Sequence, residues 1–442
     1  MKIVHSFLLL SFIVITGCSD GSGVIRPPPT NVGVFNAASN LESTVFLREE
    51  RVQAQMTYGG GDVASFDSGQ YDFHVEHSPV GATAPVRAFS FSETLSPDLN
   101  YIFVVIAPGG QPEAFAVTTE NLAGDAANGR VTIVHAFDGM GDLDVYMELP
   151  GTILSNAQPQ GSMSFGPNAL TFDIAPDTYH LYLTLAGDPD TVVFESVDDT
   201  VVAGADDVLV VSDPGAMGAL TILVSRISAN TGRIGQFGSE SRLRAVHGID
   251  DRLARDIHLD DTTTPALFPA QPFGVLSDYL SVEVDAHSVI TTPQDNPGTE
   301  EGATSYFAVS GALQTVLIAG DSVDGVSTTV MVEDKRSIAG QATLRILNGA
   351  GLFDAVGVFV EPPGTDTTTA TPLGIMSVPS FTPRVPLVPG DFEITIQDAI
   401  TGTILAGPEL VSMIDGGVYG VLLLNAEDGS TVDIQLFDDF IP

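Results

Sequence analysis

Cys18 is the only cysteine in the 442 residues, and it closes a hydrophobic leader that ends Ile15-Thr16-Gly17-Cys18. A thiol after an apolar run and two small residues is placed for acylation once the leader is cut, so Cys18 is the expected lipidation site and residues 1–17 the signal peptide. Lys2 supplies the short positive start, and residues 3–15 are apolar apart from His5, Ser6 and Ser11. Such a run falls short of the roughly 20 apolar residues a spanning helix needs. With no second cysteine, an internal disulfide and a Cys–His nucleophile are both excluded.

Two further constellations pair a base with a carboxylate. His135 precedes Asp144 by nine residues, and His247 precedes Asp256 by nine. A loop that turns between them is expected to bring imidazole N–H to carboxylate and pin the turn. A metal or catalytic His–Asp site is the competing reading. It is weakened because Asn36 and Asn348 occupy the histidine's place elsewhere, and asparagine is a poor base. Asp138, Asp142 and Asp144 offer oxygens to Ca²⁺, as do Asp250, Asp251 and Asp256, though a solvated turn explains either loop. Neither HExxH, a CxxC pair, a P-loop nor GxSxG occurs, and Gly59-Gly60-Gly61 and Gly349-Ala350-Gly351 open no helix. The expectation is no enzyme, no cofactor and no bound metal.

The elements that hold these residues repeat about every 100 residues. An apolar strand ends in Asn or His and a small residue: VGVFNA (32–37), VTIVHA (131–136), LRAVHG (243–248) and LRILNG (344–349). A second strand starts at Thr44, Asp144, Asp256 and Gly357. An apolar residue and a glycine follow: Tyr58-Gly59, Phe165-Gly166, Phe273-Gly274 and Leu373-Gly374. Each unit closes with a wholly apolar strand (101–107, 208–212, 315–320, 418–424) and one more strand. Four landmarks in one order across four units define a repeat. Alternating Val, Ile, Thr, Phe and Tyr, punctuated by Gly, Asp, Asn and Pro, mark the segments as strands.

The fold expected is all-β: four tandem immunoglobulin-like β-sandwich domains after a lipoprotein signal and a short tether. The boundaries are a signal peptide (1–17), a tether (18–30), and sandwiches at 31–124, 129–228, 241–337 and 341–442. Proline-rich residues 19–30 could extend on the order of 35 Å from a membrane. Each domain is expected to own a core, so that four in a line make an elongated particle with touching neighbours. Residues 291–304 (TTPQDNPGTEEGAT) are longer and more polar than their counterparts, and a disordered insertion is the expectation there.

The formal charge of −40 leaves no basic patch for phosphates, so nucleic acid is excluded as a partner. Hydrophobic residues make up 44% of the chain, enough to bury several cores despite that charge.

The stretch VTIVHAFDGMGDLDVYM (131–147) resembles the bacterial family known as domain of unknown function 4397. Its members are tandem extracytoplasmic β-domains with a strand ending in His-Ala and a following Asp-Val-Tyr. His135, Ala136, Asp144, Val145 and Tyr146 carry the likeness, and the third repeat keeps His247 and Asp256. The first and fourth repeats lack the aspartate. The resemblance implies fold and compartment and brings no activity. The role expected is a lipid-anchored cell-envelope protein of the outer membrane, a monomeric spacer, adhesion or binding scaffold. Its partners would be the membrane through the anchor and an envelope protein or glycan. The alternatives are a small-ligand or Ca-binding surface protein, or a carboxylate-based hydrolase.

Overall fold

A computed structural model describes residues 29–440 except 43, 49–50, 81, 121–126, 216–221, 229–232, 297 and 322–324. Cys18, the leader and most of the tether lie outside the described residues. Nearly all the regular structure is strand, in eight sheets of four or five strands. In each repeat the opening strand pairs in parallel with the wholly apolar strand near the end. Pro29–Asn36 lies beside Leu99–Ile106, Gly129–His135 beside Asp206–Ser212, Ser241–Ile249 beside Leu313–Asp321, and Ala342–Asn348 beside Val418–Asn425. The closing strand adds antiparallel at the outer side of each apolar strand, as Glu113–Glu120 does on Leu99–Ile106. The second strand of each repeat belongs to the other sheet; Thr44–Arg48, for example, pairs with Gly69–His77.

Alternation along the apolar strands shows where the cores sit. Tyr101, Phe103 and Val105 point toward the second sheet of their own repeat, with Phe46 and Phe73. Ile102, Val104 and Ile106 point the other way, into a cluster with Val134, Ala136, Val208, Val210 and Ile227 of the second repeat. The third and fourth repeats do the same. Val316 and Ile318 face inward, whereas Leu317 joins Val246, Met331, Leu347, Leu422 and Leu424 in a cluster shared between repeats. The strands are wholly apolar because they are buried on both faces, as central parallel strands are.

Each repeat owns a core, as expected, and the repeats also pack face to face, first on second and third on fourth, across further apolar clusters. The contact of Arg384 in the fourth repeat with Glu42 in the first departs from the expected line of four. Each large aliphatic side chain so buried contributes about 1.5–3 kcal/mol relative to exposure. Gly420 interrupts VYGVLLL because the Phe437 ring, on the neighbouring strand, lies over it where a Cβ would be.

Residues 291–304, all described but 297, are not a disordered insertion. They form most of a hairpin in which Ala286–Pro293 pairs with Gly302–Phe307, Thr291 opposite Gly302. Glu301 at its base accepts from Arg255 Nε at 2.7 Å, which fixes the tip to the rest of the repeat.

Candidate functional site

The four turn residues share a geometry in part: three accept an N–H two residues on and three donate to a carbonyl, while Asn36 Nδ2 and His247 Nδ1 are buried without a partner among the described residues. Asn36 Oδ1 accepts the Ala38 N–H at 3.0 Å, His135 Nδ1 the Phe137 N–H at 3.3 Å, and Asn348 Oδ1 the Ala350 N–H at 3.2 Å. A donor on the far side of the ring or amide then reaches a carbonyl. His135 Nε2 donates to Gly141 O at 3.1 Å and His247 Nε2 to Gln271 O at 3.0 Å. Asn348 Nδ2 donates to Met376 O and Ser377 O. These partners assign the neutral Nε2–H tautomer to the histidines. Burial pulls the His135 pKa below its ordinary value and takes that of His247 down to about 4. Asparagine substitutes for histidine because both place an acceptor near and a donor far.

The aromatic-glycine landmark completes this turn. Gly59 N–H donates to Asn36 O, Gly166 N–H to His135 O and Gly274 N–H to His247 O, each at 2.9 Å. All three glycines have φ between +67° and +118°, namely 71°, 117° and 68°, which a side chain would strain. Phe165 and Phe273 stand edge-on to His135 and His247. The fourth repeat departs from the pattern: Gly374 opens a strand, and Ser380 lies opposite Asn348 instead.

The expected His–Asp hydrogen bonds do not form. Asp144 accepts from Ser162 Oγ and from Gly187 N–H, the latter at 2.7 Å, and Asp256 accepts from Ala270 N–H at 2.7 Å. His135 ends a strand of one sheet and His247 lies two residues from the end of another, while each aspartate lies on a strand of the facing sheet. Facing sheets stand about 10 Å apart, so the chain crosses the sandwich between the two residues. The aspartates instead tie their strands to the short edge strands Gly161–Met163 and Phe268–Gln271.

Nor do the acidic loops converge. Asp138 accepts from Gly109 N–H of the first repeat at 3.1 Å. Asp251 is held by Arg255 Nη2 at 2.7 Å, which keeps its pKa low although burial pushes the other way. Among the described residues no three His, Cys, Asp or Glu side chains stand where they could share a metal ion.

Sequence reasoning missed the densest charge cluster, beside the seam of the third and fourth repeats. Glu333 is fully buried, with Arg244 Nη2 at 2.7 Å, Arg345 Nη1 at 3.2 Å and Lys335 Nζ at 3.5 Å. Thr315 and Tyr279 hydroxyls donate to the same carboxylate. Burial alone would raise its pKa; Arg345, Arg244 and Lys335 override that and hold it far below the usual carboxylate range. Arg244 and Lys335 also stack on the Tyr279 ring. A second set joins this region to the first repeat. Arg384 Nη1 meets Glu42 at 2.6 Å, and Arg336 Nη1 donates to Leu41 O at 3.0 Å. The one available sequence signal was the scarcity of cations: in so acidic a chain, Lys335 and Arg336 adjacent to each other stand out.

Paired sheets, two-sided strands and buried turn residues define a chain of packed β-sandwiches. Residues 241–359 match the family described as Domain of unknown function (DUF4397). The match covers the third repeat, runs into the fourth, and spans the whole Glu333 cluster. No curated protein matches the chain. Among solved structures, the Bacillus anthracis TIE protein is similar at 8% identity over 90% of this chain and 69% of its own, with a TM-score of 0.15. CBMbc (family CBM26) from Eubacterium rectale Amy13K, solved with maltoheptaose, is 12% identical over 42% of this chain and 92% of its own, TM-score 0.15. The pilus adhesin SpaC from Lactobacillus rhamnosus GG is 11% identical over 93% and 57%, TM-score 0.15. None of the three superposes closely enough to constrain this chain's ligand or activity.

Proposed function

We propose that the chain is a lipid-anchored, noncatalytic protein of the bacterial cell envelope, a monomer that presents packed β-sandwiches as a spacer, adhesion or binding scaffold. The observation that carries this reading is Ile15-Thr16-Gly17-Cys18 at the end of an apolar leader, followed by a proline-rich tether. Two or more acyl chains hold a protein on a membrane stably. No helix among the described residues is long and apolar enough to cross a membrane. The noncatalytic part is supported by how the candidate groups are used: His135 and His247 pin turns, and Asp144 and Asp256 hold edge strands.

Mass spectrometry of the mature N-terminus tests the anchor. The expected species begins at an acylated Cys18, and Cys18→Ser is expected to yield soluble protein or an uncleaved precursor. An unmodified Cys18 in the mature protein would sink the proposal. Pull-down from intact envelopes, with protease shaving to find the exposed face, tests the scaffold role. The outer membrane is the expected location.

A further inference from the structure

Most of the described arginines are tied to carboxylates: Arg130 to Asp173, Arg226 to Asp199, Arg255 to Glu301 and Arg384 to Glu42. Among the described residues Arg242 meets no carboxylate. It is the second residue of strand Ser241–Ile249, and its Nε is buried without a hydrogen-bond partner, as are those of Arg226 and Arg384. An unpaired guanidinium nitrogen out of water is costly in any protein. A guanidinium without a carboxylate is more unexpected where acids outnumber bases 56 to 16.

Arg242 lines a cleft of about 570 Å³ between the second and third repeats, with His180, Glu195, Ile222 and Glu240. The cleft also touches every residue from 192 to 197. Side chains alternate between the faces of a strand, so a cleft that meets both parities in succession runs along the strand's edge. Among the described residues that strand, Asp188–Glu195, is paired on one side only, with Asp177–Leu185. The far end of the edge is closed, since Val197 N–H donates to Gly238 O at 2.6 Å. Val192 and Val197 remain 43% and 38% exposed beside it.

We propose that this cleft takes an extended peptide segment of a partner protein, added as a further strand to Asp188–Glu195, with a carboxylate of the peptide on Arg242. Strand addition supplies main-chain hydrogen bonds without a sequence requirement, and flanking groups supply the selection. Arg242 selects one carboxylate. Glu195 and Glu240 in the same cleft disfavour further acids, so the preferred segment has a single acidic residue among neutral or basic ones. Val192 and Val197 take its apolar side chains. This goes beyond the envelope role and does not depend on the anchor.

The test uses the full mature chain and blocked eight-residue peptides alternating valine and threonine, with one glutamate in the centre and a lysine at each end. Calorimetry measures affinity, and hydrogen exchange locates it. Binding with added protection at residues 188–197 is expected. Replacing the peptide's glutamate by glutamine, or Arg242→Met in the protein, is expected to weaken it about ten- to a hundredfold, the range of a charge-assisted hydrogen bond. A peptide with proline at its centre is expected not to bind. Should Arg242→Met disturb folding, Val192→Glu gives a second route: it adds a like charge at an exposed position, and binding is expected to weaken. No binding by the glutamate peptide, binding without protection of 188–197, affinity indifferent to both variants, or equal affinity for free glutamate would each overturn the proposal.

Discussion

In the seam between the first two repeats, Ala37 and Ala136 follow the turn residue, and Phe35, Ile102, Val104 and Val210 fill the space. In the seam between the last two, Gly248 and Gly349 stand at those positions, and the backbones come close. A Cβ on Gly248 would lie 2.8 Å from Gly349 O and 2.7 Å from Leu424 Cδ2. The apolar cluster there is smaller, and the Glu333 charges lie beside it. The acids differ as well. Asp206 in the first seam is buried with a weak Thr119 hydroxyl contact at 3.4 Å, and burial raises its pKa. Glu333 is surrounded by cations and its pKa is lowered. One sandwich topology thus makes two kinds of seam: one by apolar volume, the other by close backbone approach and compensated charge.

Removing the carboxylate charge should separate the two most. Glu333→Gln leaves Arg244, Arg345 and Lys335 facing one another out of water. Breaking a buried pair costs about 3–5 kcal/mol. The expected result is a large drop in the unfolding temperature of the third and fourth repeats, followed by exchange mass spectrometry, with the first two repeats little changed. Equal loss in both halves would mean that the seams are not independent.

A smaller effect is expected from Gly248→Ala. The added methyl meets backbone as well as Leu424, and overpacking of this kind costs about 1–3 kcal/mol. Alanine already occupies the matching position in the first two repeats. A variant as stable as the parent would show that the close approach is not required.

Acid should move the seams in opposite directions. The Glu333 carboxyl has a folded pKa below its ordinary 4.5, so its stabilisation is present above that value and is lost as pH falls below it. Asp206 has a folded pKa above its ordinary 3.8, so its contribution is greatest below that value and declines as pH rises through the folded pKa. Chemical denaturation at pH 7 and at pH 4, read separately for each half, is expected to show the third and fourth repeats losing ground relative to the first two. A parallel response would refute the contrast.

The smallest change concerns the turns. His135→Asn keeps an acceptor for the Phe137 N–H and loses the edge contact with Phe165, worth about 0.5–1.5 kcal/mol. Calorimetry on the full chain should show a loss in that range and no change in Zn²⁺ or Ca²⁺ affinity. Tight metal binding abolished by the substitution would restore the metal reading.

The strands and their order were readable because period-two alternation and the repeated landmarks are local signals. What covered the outer face of YIFVVIA was not readable, since a strand buried within a sandwich and one buried between two repeats carry the same apolar run. The His–Asp pairs were misread for a geometric reason: nine residues suffice to cross between sheets, so sequence proximity did not become contact. The Glu333 cluster joins Arg244 to a residue 89 positions later, and no local pattern announces that. A longer separation hides the Arg384–Glu42 contact, across 342 residues.

The parallel pairing of opening and apolar strands also sets the order in which a repeat can assemble. Val32 finds its parallel partner at Tyr101, and Leu344 at Tyr419, so nearly a whole unit of chain must be present before the opening strand gains its parallel neighbour, although an antiparallel one, Gly61–Asp67 in the first repeat, comes earlier. Closing so long a loop precedes the contacts that reward it, which makes folding slow relative to a meander of hairpins. The outer face of that strand stays wet longer still, until the next unit has formed its own sheet. A chain emerging N-terminus first therefore holds each opening strand with one side unpaired until the apolar strand of the same unit has followed it. For this architecture, the hazard of aggregation lies in the interval before each even-numbered repeat is complete.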